Sequence, residues 1–305
     1  MSSSVEALIR RDFPLAGLTT LGTGGASDFF ARAGSSEDLL ALLSWARERG
    51  VEVAIVGSGS NLLVADEGVR ALAIKLDRAL AAIDIDGRQL RCGGGARLPS
   101  VAARAASAGL SGIEFGVNIP GTVGGAVRMN ANAYGGELAR VLQWVQIATA
   151  EGLERRAASE LGLAYRSSGL RAGEVVATAS LLLERADVHA VKATLAEMRR
   201  RRHEAQPRGI KTFGSTFKNP SEDPRAEGRS AGQLLSQAGC NGLTVGGARF
   251  APKHANFIEN TGTASTADAL ALMAEGRQRV LERFGVELEP EVHVLGEVRF
   301  PWLQG

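Results

Sequence analysis

Cysteine is nearly absent: Cys92 and Cys240 are the two in 305 residues. They are too few and too far apart for a disulfide framework or a cysteine-based metal site. Lysine is scarce too. It supplies five of the 35 basic residues, which face 33 acidic ones and leave a formal charge of +2. Such a balance gives no global field to draw the chain to nucleic acid. No apolar run approaches the length of a membrane span. Met1-Ser2-Ser3-Ser4 lacks the basic and apolar regions of a signal peptide. The expectation is a cytoplasmic protein with no membrane insertion and no obligate protein partner.

Two phosphate-binding signatures are also missing. Gly57-Ser58-Gly59-Ser60-Asn61 runs into the apolar Leu62-Leu63-Val64 and not into a helix. It is therefore not the Gly-x-Gly-x-x-Gly opening of a doubly wound dinucleotide fold. No glycine loop ends in the Lys-Ser/Thr of a P-loop.

Glycine itself is plentiful, at 38 residues in short runs with no repeating period. These runs read as tight turns and close backbone approaches. A hydrophobic share of 45% is enough for the cores of two or three domains. In residues 1–77, Ala26 to Ala33 reads as a strand. Ser36-Glu37-Asp38 opens a helix with the stripe Leu39, Leu42, Leu43 and Ala46, ended by Gly50. Val53 to Val56, Leu62 to Val64 and Ala71 to Leu76 complete an α+β domain. In residues 78–186, Ile83-Asp84-Ile85-Asp86 and Gln89 to Cys92 form a hairpin about Gly87. Gly93-Gly94-Gly95 leads into a helix from Leu98 to Ala108. Strands near Val145–Thr149 and Val175–Leu183 come next.

Residues 187–305 begin with a helix carrying Val188, Val191, Leu195 and Met198 on one face, ended by Pro207 and Gly209. Its Arg199-Arg200-Arg201-Arg202-His203 is either a solvated last turn favoured by the helix dipole or a phosphate contact. Ser230 to Ala238 reads as helical. Ser265-Thr266-Ala267-Asp268 caps a helix through Ala269, Leu272, Met273, Val280, Leu281 and Phe284. Gly285 closes it before a turn at Leu288 to Val292 into a last strand.

The chemistry gathers at three places. Ser58, Gly59, Ser60 and Asn61 can aim amides at a pyrophosphate, or form a plain structural turn. In Ile119-Pro120-Gly121-Thr122-Val123-Gly124-Gly125, proline fixes one dihedral and the glycines let backbone lie against a flat or phosphorylated cofactor. The serine turn Phe213-Gly214-Ser215-Thr216-Phe217-Lys218-Asn219-Pro220 can supply a proton beside that cofactor. Together they point to a redox enzyme.

In order, and over nearly the whole chain, these motifs resemble the UDP-N-acetylenolpyruvoylglucosamine reductase family. The resemblance rests on Gly57 to Gly68, Glu114 to Glu137, Tyr165-Arg166-Ser167-Ser168 and Gly214 to Pro220. Lys253-His254-Ala255-Asn256-Phe257-Ile258 and Leu288-Glu289-Pro290-Glu291-Val292 add to it. It implies an α+β, three-domain flavoprotein. Two parts hold FAD non-covalently in a vanillyl-alcohol-oxidase-like arrangement, and a C-terminal α+β domain takes the substrate. The route from Ser215 onward is that of the compact form.

By the same resemblance, NADPH reduces the flavin, which passes hydride to UDP-N-acetylglucosamine enolpyruvate and yields UDP-N-acetylmuramate. Arg166 would hold the substrate carboxylate, Ser215 would donate the proton, and Glu291 would polarise the enolpyruvyl group, with Glu289 as its nearby rival. FAD contacts would come from Val56, Gly57, Ser58, Gly59, Ser60, Asn61, Gly121, Thr122, Gly124, Gly125, Ala126 and Asn130. Tyr165, Lys218, Asn219, Lys253 and Asn256 would serve the substrate. No metal is implied, and His254 reads as a packing or hydrogen-bonding histidine. The chain departs from the family pattern at Asn118 and Asn132, where glycine is usual, and at Arg249-Phe250-Ala251. Two rivals stand beside this reading: a flavin-dependent oxidase of small alcohols or hydroxy acids, and a nucleotide-binding or cell-wall assembly protein without turnover.

Overall fold

The computed structural model describes residues 5–205 and 209–303, so Pro207 lies outside it. The chain forms two compact units from interleaved segments. The first takes residues 1–12, 29–58 and 70–202, and the second takes 13–28, 59–69 and 203–305.

A four-stranded sheet runs in the order Ile9–Pro14, Ala26–Ala33, Val69–Leu76, Glu52–Ile55. Its last two strands are parallel, with Val53 opposite Leu72. In the first unit, helix Ser36–Glu48 buries Leu39, Leu42, Leu43, Trp45 and Ala46 against Ala31, Leu72 and Ile74. The helix begins where the sequence places it, but the cap is one residue earlier. Ser35 is extended, and its hydroxyl accepts from the Asp38 amide at 3.1 Å.

The five-stranded sheet of the first unit is antiparallel throughout. Its order is Gly152–Ala157, Leu142–Thr149, Val175–Leu182, Gln89–Gly93, Ile83–Asp86. The expected hairpin is present: Gly87 turns at φ 59°, and Ile83 and Ile85 sit opposite Cys92 and Leu90. The central strand serves two cores. Val175 and Ala177 join the core under the first helix. Val176, Ala179 and Leu181 join Val145, Ile147 and helix Leu98–Ser107 in the other.

Plain alternation would keep Ala177 and Ala179 on one face. The register instead skips Ala177, because Gln146 pairs with Thr178 and Ile147 with Val176. This bulge reverses which face each later residue presents. Gly94 seats itself against the bulge. Its amide donates to the Ala177 carbonyl at 2.8 Å, and a Cβ there would stand 1.8 Å from the Val176 oxygen. Gly93 and Gly95 are pressed as closely, with backbone 2.3 and 2.6 Å from where a Cβ would be. That run of three glycines is explained by packing.

Helix Val188–Ala205 sends Val191 and Leu195 into the second core, and half-buried Met198 packs against it. Its residues up to Arg202 thus belong to the first unit, although the sequence pattern groups them with the C-terminal domain.

In the second unit, an antiparallel sheet runs Lys211–Thr212, Ile258–Asn260, Ala248–Phe250, Thr244–Val245. Helices Ala231–Gln237 and Thr266–Phe284 share its core with Phe213, Phe217 and Phe250. The long helix starts at the expected box. Ser265 and Asp268 exchange side-chain-to-amide bonds at 3.0 Å, and Gly285 closes the helix at φ 67°. Leu62–Val64, read from the sequence as part of the first domain, instead pairs in parallel with His293–Leu295. Among the described residues, no helix is long and apolar enough to cross a membrane.

This packing has two measurable outcomes. Gly94→Ala should lower unfolding stability by about 3 kcal/mol or more, since backbone must move. Gly87→Ala, with open space around it, should cost about 1 kcal/mol for its left-handed φ alone. Urea midpoints of the two variants check the contrast. Burial pushes the Cys92 thiol up to about 12 and the Cys240 thiol up to about 11. A disulfide reagent at neutral pH should therefore label neither cysteine in the folded protein and both after denaturation.

Candidate active site

In the first unit, the two glycine turns meet. A Cβ on Gly57 would lie 2.8 Å from the Thr122 hydroxyl. Thr122 caps helix Val123–Arg128 by accepting from the Gly125 amide at 3.5 Å. The Val123 and Gly124 amides are bound to the Ala96 and Gly94 carbonyls at 2.8 and 2.7 Å, and the Gly121 carbonyl accepts from Leu98. The second turn is thereby sewn to the packed Gly93–Gly95 run. Gly121 and exposed Gly125 leave room, with no atom closer than 3.6 Å to where a Cβ would stand.

Behind the first turn, Lys75 donates to the Gly57 carbonyl at 2.6 Å. Burial, with help from Arg32, holds the Lys75 ammonium below its usual range, and Arg97 acts in the same direction. Sequence reasoning missed Lys75. Its signal was a lysine inside an otherwise apolar strand, in a chain with so few lysines.

Val56 and Ala126 are buried beside these turns. Asn130 is fully buried at φ 37° and bonds within the protein. Its amide nitrogen donates to Glu137 at 2.6 Å and to the Ala164 carbonyl at 3.2 Å, while its oxygen accepts from the Ala139 amide at 3.1 Å. The following hairpin pairs Asn132 with Glu137 and Ala133 with Gly136 about Tyr134-Gly135, both at positive φ. Two-residue hairpin loops favour that conformation, but a tyrosine in it is strained. Asn118 pins the ring by donating to the Tyr134 hydroxyl at 3.0 Å and to the Met198 carbonyl at 2.7 Å.

A second tight turn carries Tyr165 and Arg166. Ala164 and Ser167 exchange both backbone bonds at 3.1 Å around them. Arg166 is held at φ 53°, a position usually given to glycine. Its guanidinium lies over the Tyr165 ring, 5.3 Å from the centroid, and donates to the Asn132 side-chain oxygen at 3.2 Å.

The second unit gathers the serine turn, Gly59-Ser60-Asn61 and the C-terminal acidic segment. Gly214 donates to the Ser60 carbonyl at 2.7 Å, and Gly59 accepts from the Thr20 amide. Thr216 donates to the Asn256 carbonyl and accepts from the Glu291 amide, both at 2.9 Å. The Asn61 side chain donates to the Glu291 carbonyl at 3.0 Å. Half-buried Ser215 lies between the anchored residues Gly214 and Thr216.

Asn256, expected at the substrate, turns its amide to the protein. It is 3% exposed and clamps Phe217 from both sides, accepting from its N–H and donating to its carbonyl at 2.9 Å. Asn219 accepts from the first amide of helix Ala231–Gln237 at 3.1 Å. Lys218 pairs with Glu289 at 3.1 Å on the surface, which separates that carboxylate from its half-buried neighbour Glu291. Lys253 donates to the His203 carbonyl at 3.1 Å.

Among the described residues no group of three or more His, Cys, Asp or Glu side chains could hold a metal ion, and His254 is engaged in packing. It accepts from the Asn256 amide and sets its ring edge against Phe257, and burial holds it below the usual imidazole range. In the arginine run, Arg200 and Arg201 pair with Glu197, while half-buried Arg202 donates to the Asn118 carbonyl.

Comparison with known proteins gives consistent matches. Residues 206–295 match the model of the UDP-N-acetylenolpyruvoylglucosamine reductase C-terminal domain, and residues 27–158 match that of an FAD binding domain. The UDP-N-acetylenolpyruvoylglucosamine reductase of Anaeromyxobacter dehalogenans is 43% identical over 287 residues, 94% of this chain and 85% of that one. Reductase 2 of Symbiobacterium thermophilum is 42% identical over 96% of this chain and 94% of its own length. The crystal structure of the Thermus caldophilus enzyme aligns with a TM-score of 0.81 at 36% identity, covering 94% of this chain and 98% of that one.

The clamp on Phe217 makes a direct prediction. Asn256→Ala leaves a buried N–H and a buried carbonyl without their partner, and should cost about 2–4 kcal/mol in urea unfolding. Equal stability of variant and parent would show that the clamp contributes nothing.

Proposed function

We infer that this chain, which belongs to the UDP-N-acetylenolpyruvoylglucosamine reductase family, reduces UDP-N-acetylglucosamine enolpyruvate to UDP-N-acetylmuramate, a step of peptidoglycan precursor synthesis. FAD is the bound cofactor, NADPH the electron donor and the cytoplasm the place of action. The residues fit an FAD. Two glycine turns converge at Gly57 and Thr122, open backbone lies at Gly121 and Gly125, and Lys75 stands behind them near Arg32 and Arg97. That suits an anionic pyrophosphate. Val56 to Asn61 and Gly121 to Ala126 would hold the cofactor, with Asn130 shaping the loop beyond them. In this reading the two cores of the first unit correspond to two FAD-binding parts, drawn mainly from residues 29–58 and 70–202, and the second unit, which takes in residues 203–305, is the substrate domain.

Once reduced by NADPH, an FAD held by these turns would supply hydride chemistry at the terminal vinyl carbon of the substrate. The electron pair moves onto the carbon bearing the ether oxygen and spreads into the carboxylate. Arg166 holds that carboxylate, and its fixed guanidinium charge stabilises the enolate as it grows. Ser215 delivers a proton to the carbon bearing the ether oxygen and completes the lactyl ether. A serine hydroxyl is a weak acid in water, so it needs a strongly basic partner in a fixed geometry. Glu291 acts on the enolpyruvyl group, while Glu289 is engaged with Lys218. Tyr165, Lys218, Asn219 and Lys253 serve as the substrate-side groups, with Asn256 acting through the serine turn.

One observation supports this reading above the others. The turn carrying Ser215 is hydrogen-bonded on one side to Ser60 of the first glycine segment and on the other to Glu291. An oxidase of small alcohols gives no reason for a serine turn tied to an acidic segment in this way.

Anaerobic half-reactions test the assignment. The purified protein should be yellow, be bleached by NADPH, and recover its colour on addition of the enolpyruvyl sugar nucleotide. Ser215→Ala should reduce its flavin at nearly the parent rate but reoxidise about 100-fold or more slowly, the usual scale for loss of a proton donor. Equal loss in both halves would mean that Ser215 supports the cofactor and not the proton transfer.

A further inference from the structure

We propose that Asn132 is a positioning residue for Arg166, holding one arm of its guanidinium through a neutral acceptor that leaves the positive charge intact. This rests on the functional reading above, in which Arg166 meets a substrate carboxylate. The contact is the 3.2 Å bond from Arg166 Nη1 to the Asn132 side-chain oxygen.

Both partners stand on backbone that is fixed from several sides. Arg166 occupies the tip of a two-residue turn in a left-handed conformation. Such strain persists where the surroundings over-determine it. Asn132 sits opposite Glu137 in a two-residue hairpin. That hairpin is held at its base by buried Asn130, which also reaches the Ala164 carbonyl at the foot of the arginine turn. It is held at its tip by Asn118, through the Tyr134 hydroxyl. Asn118 in turn is tied to the helix carrying Met198 and Arg202. Two strained turns are thus locked together, and the Asn132–Arg166 bond carries that lock to the functional guanidinium.

The chemistry of the acceptor matters. An amide oxygen orients an N–H without cancelling the charge of the guanidinium. A carboxylate in the same place would form an ion pair and compete with the substrate's own carboxylate. Asparagine, and not aspartate, is the residue this role requires.

The test is equilibrium binding of two nucleotides to the FAD-loaded protein. UDP-N-acetylmuramate carries the lactyl carboxylate, and UDP-N-acetylglucosamine lacks it. Asn132→Asp should weaken the first about tenfold, the scale of one charge-assisted hydrogen bond, and leave the second within about twofold. Asn132→Ser, smaller and neutral, should weaken the first by about threefold and leave the second unchanged. It keeps the test open if Asn132→Asp does not fold. In an Arg166→Ala background both Asn132 effects should vanish.

Equal weakening of the two nucleotides would overturn the inference, as would parent-like binding by both variants or an effect that survives without Arg166. Parent protein that binds neither nucleotide would instead overturn the functional reading, and this inference with it.

Discussion

Three distant stretches of chain hold the serine turn, and they do so almost wholly through backbone hydrogen bonds. Gly214 is fixed to Ser60, Thr216 to Asn256 and Glu291, and Lys218 to Glu289. The turn has almost no regular secondary structure of its own, so its shape is set by these neighbours and by the amide clamp on Phe217. A serine hydroxyl has one heavy-atom torsion, so fixing its backbone limits the oxygen to a few staggered positions. Anchoring both flanking peptides therefore fixes the point from which the Ser215 side chain starts.

The first unit meets the same demand by other means. Its glycine turns gain their position from close backbone packing. Gly94 lies against the bulge at Ala177, and the Gly124 amide lies against the Gly94 carbonyl. The bulge lets one strand serve two cores, so the central strand, the three-glycine run and the second turn form a continuous stack of backbone. The arginine turn is held differently, by asparagines. Asn118 donates, Asn132 accepts and Asn130 does both, so each amide bridges segments of chain.

Much of the local structure was legible because its causes are local. The capping box at Ser265 and Asp268, the turn at Gly87 and the apolar stripe Leu39, Leu42, Leu43, Ala46 depend on neighbours within a few residues. Even there the sequence pattern misplaced one detail, the cap at Ser35 rather than Ser36. The larger departures were long-range. Leu62–Val64 pairs with a strand some 230 residues away, which no window on the sequence reveals. The helix after Asp187 packs into the unit before it because Val191 and Leu195 fit that core. Among candidate site residues, the motifs marked the segments but not which way each side chain faces. Asn256 and Asn130 turn inward to hold backbone, and Lys75 carried no motif at all. The pairing of Glu289 with Lys218 became visible only when the two segments stood side by side.

The parallel pair formed by Leu62–Val64 and His293–Leu295 also governs the order of assembly. The second unit draws on residues near both ends of the chain, so its central pairing closes a very large loop. During synthesis the early strand must wait until His293–Leu295 has left the ribosome. The first unit, which needs nothing beyond Arg202, can condense in the meantime. Closure of such long-range pairs is slow, and unpaired strands are prone to mispairing while they wait. In a half-made chain Leu62-Leu63-Val64 thus stands without the strand it pairs with.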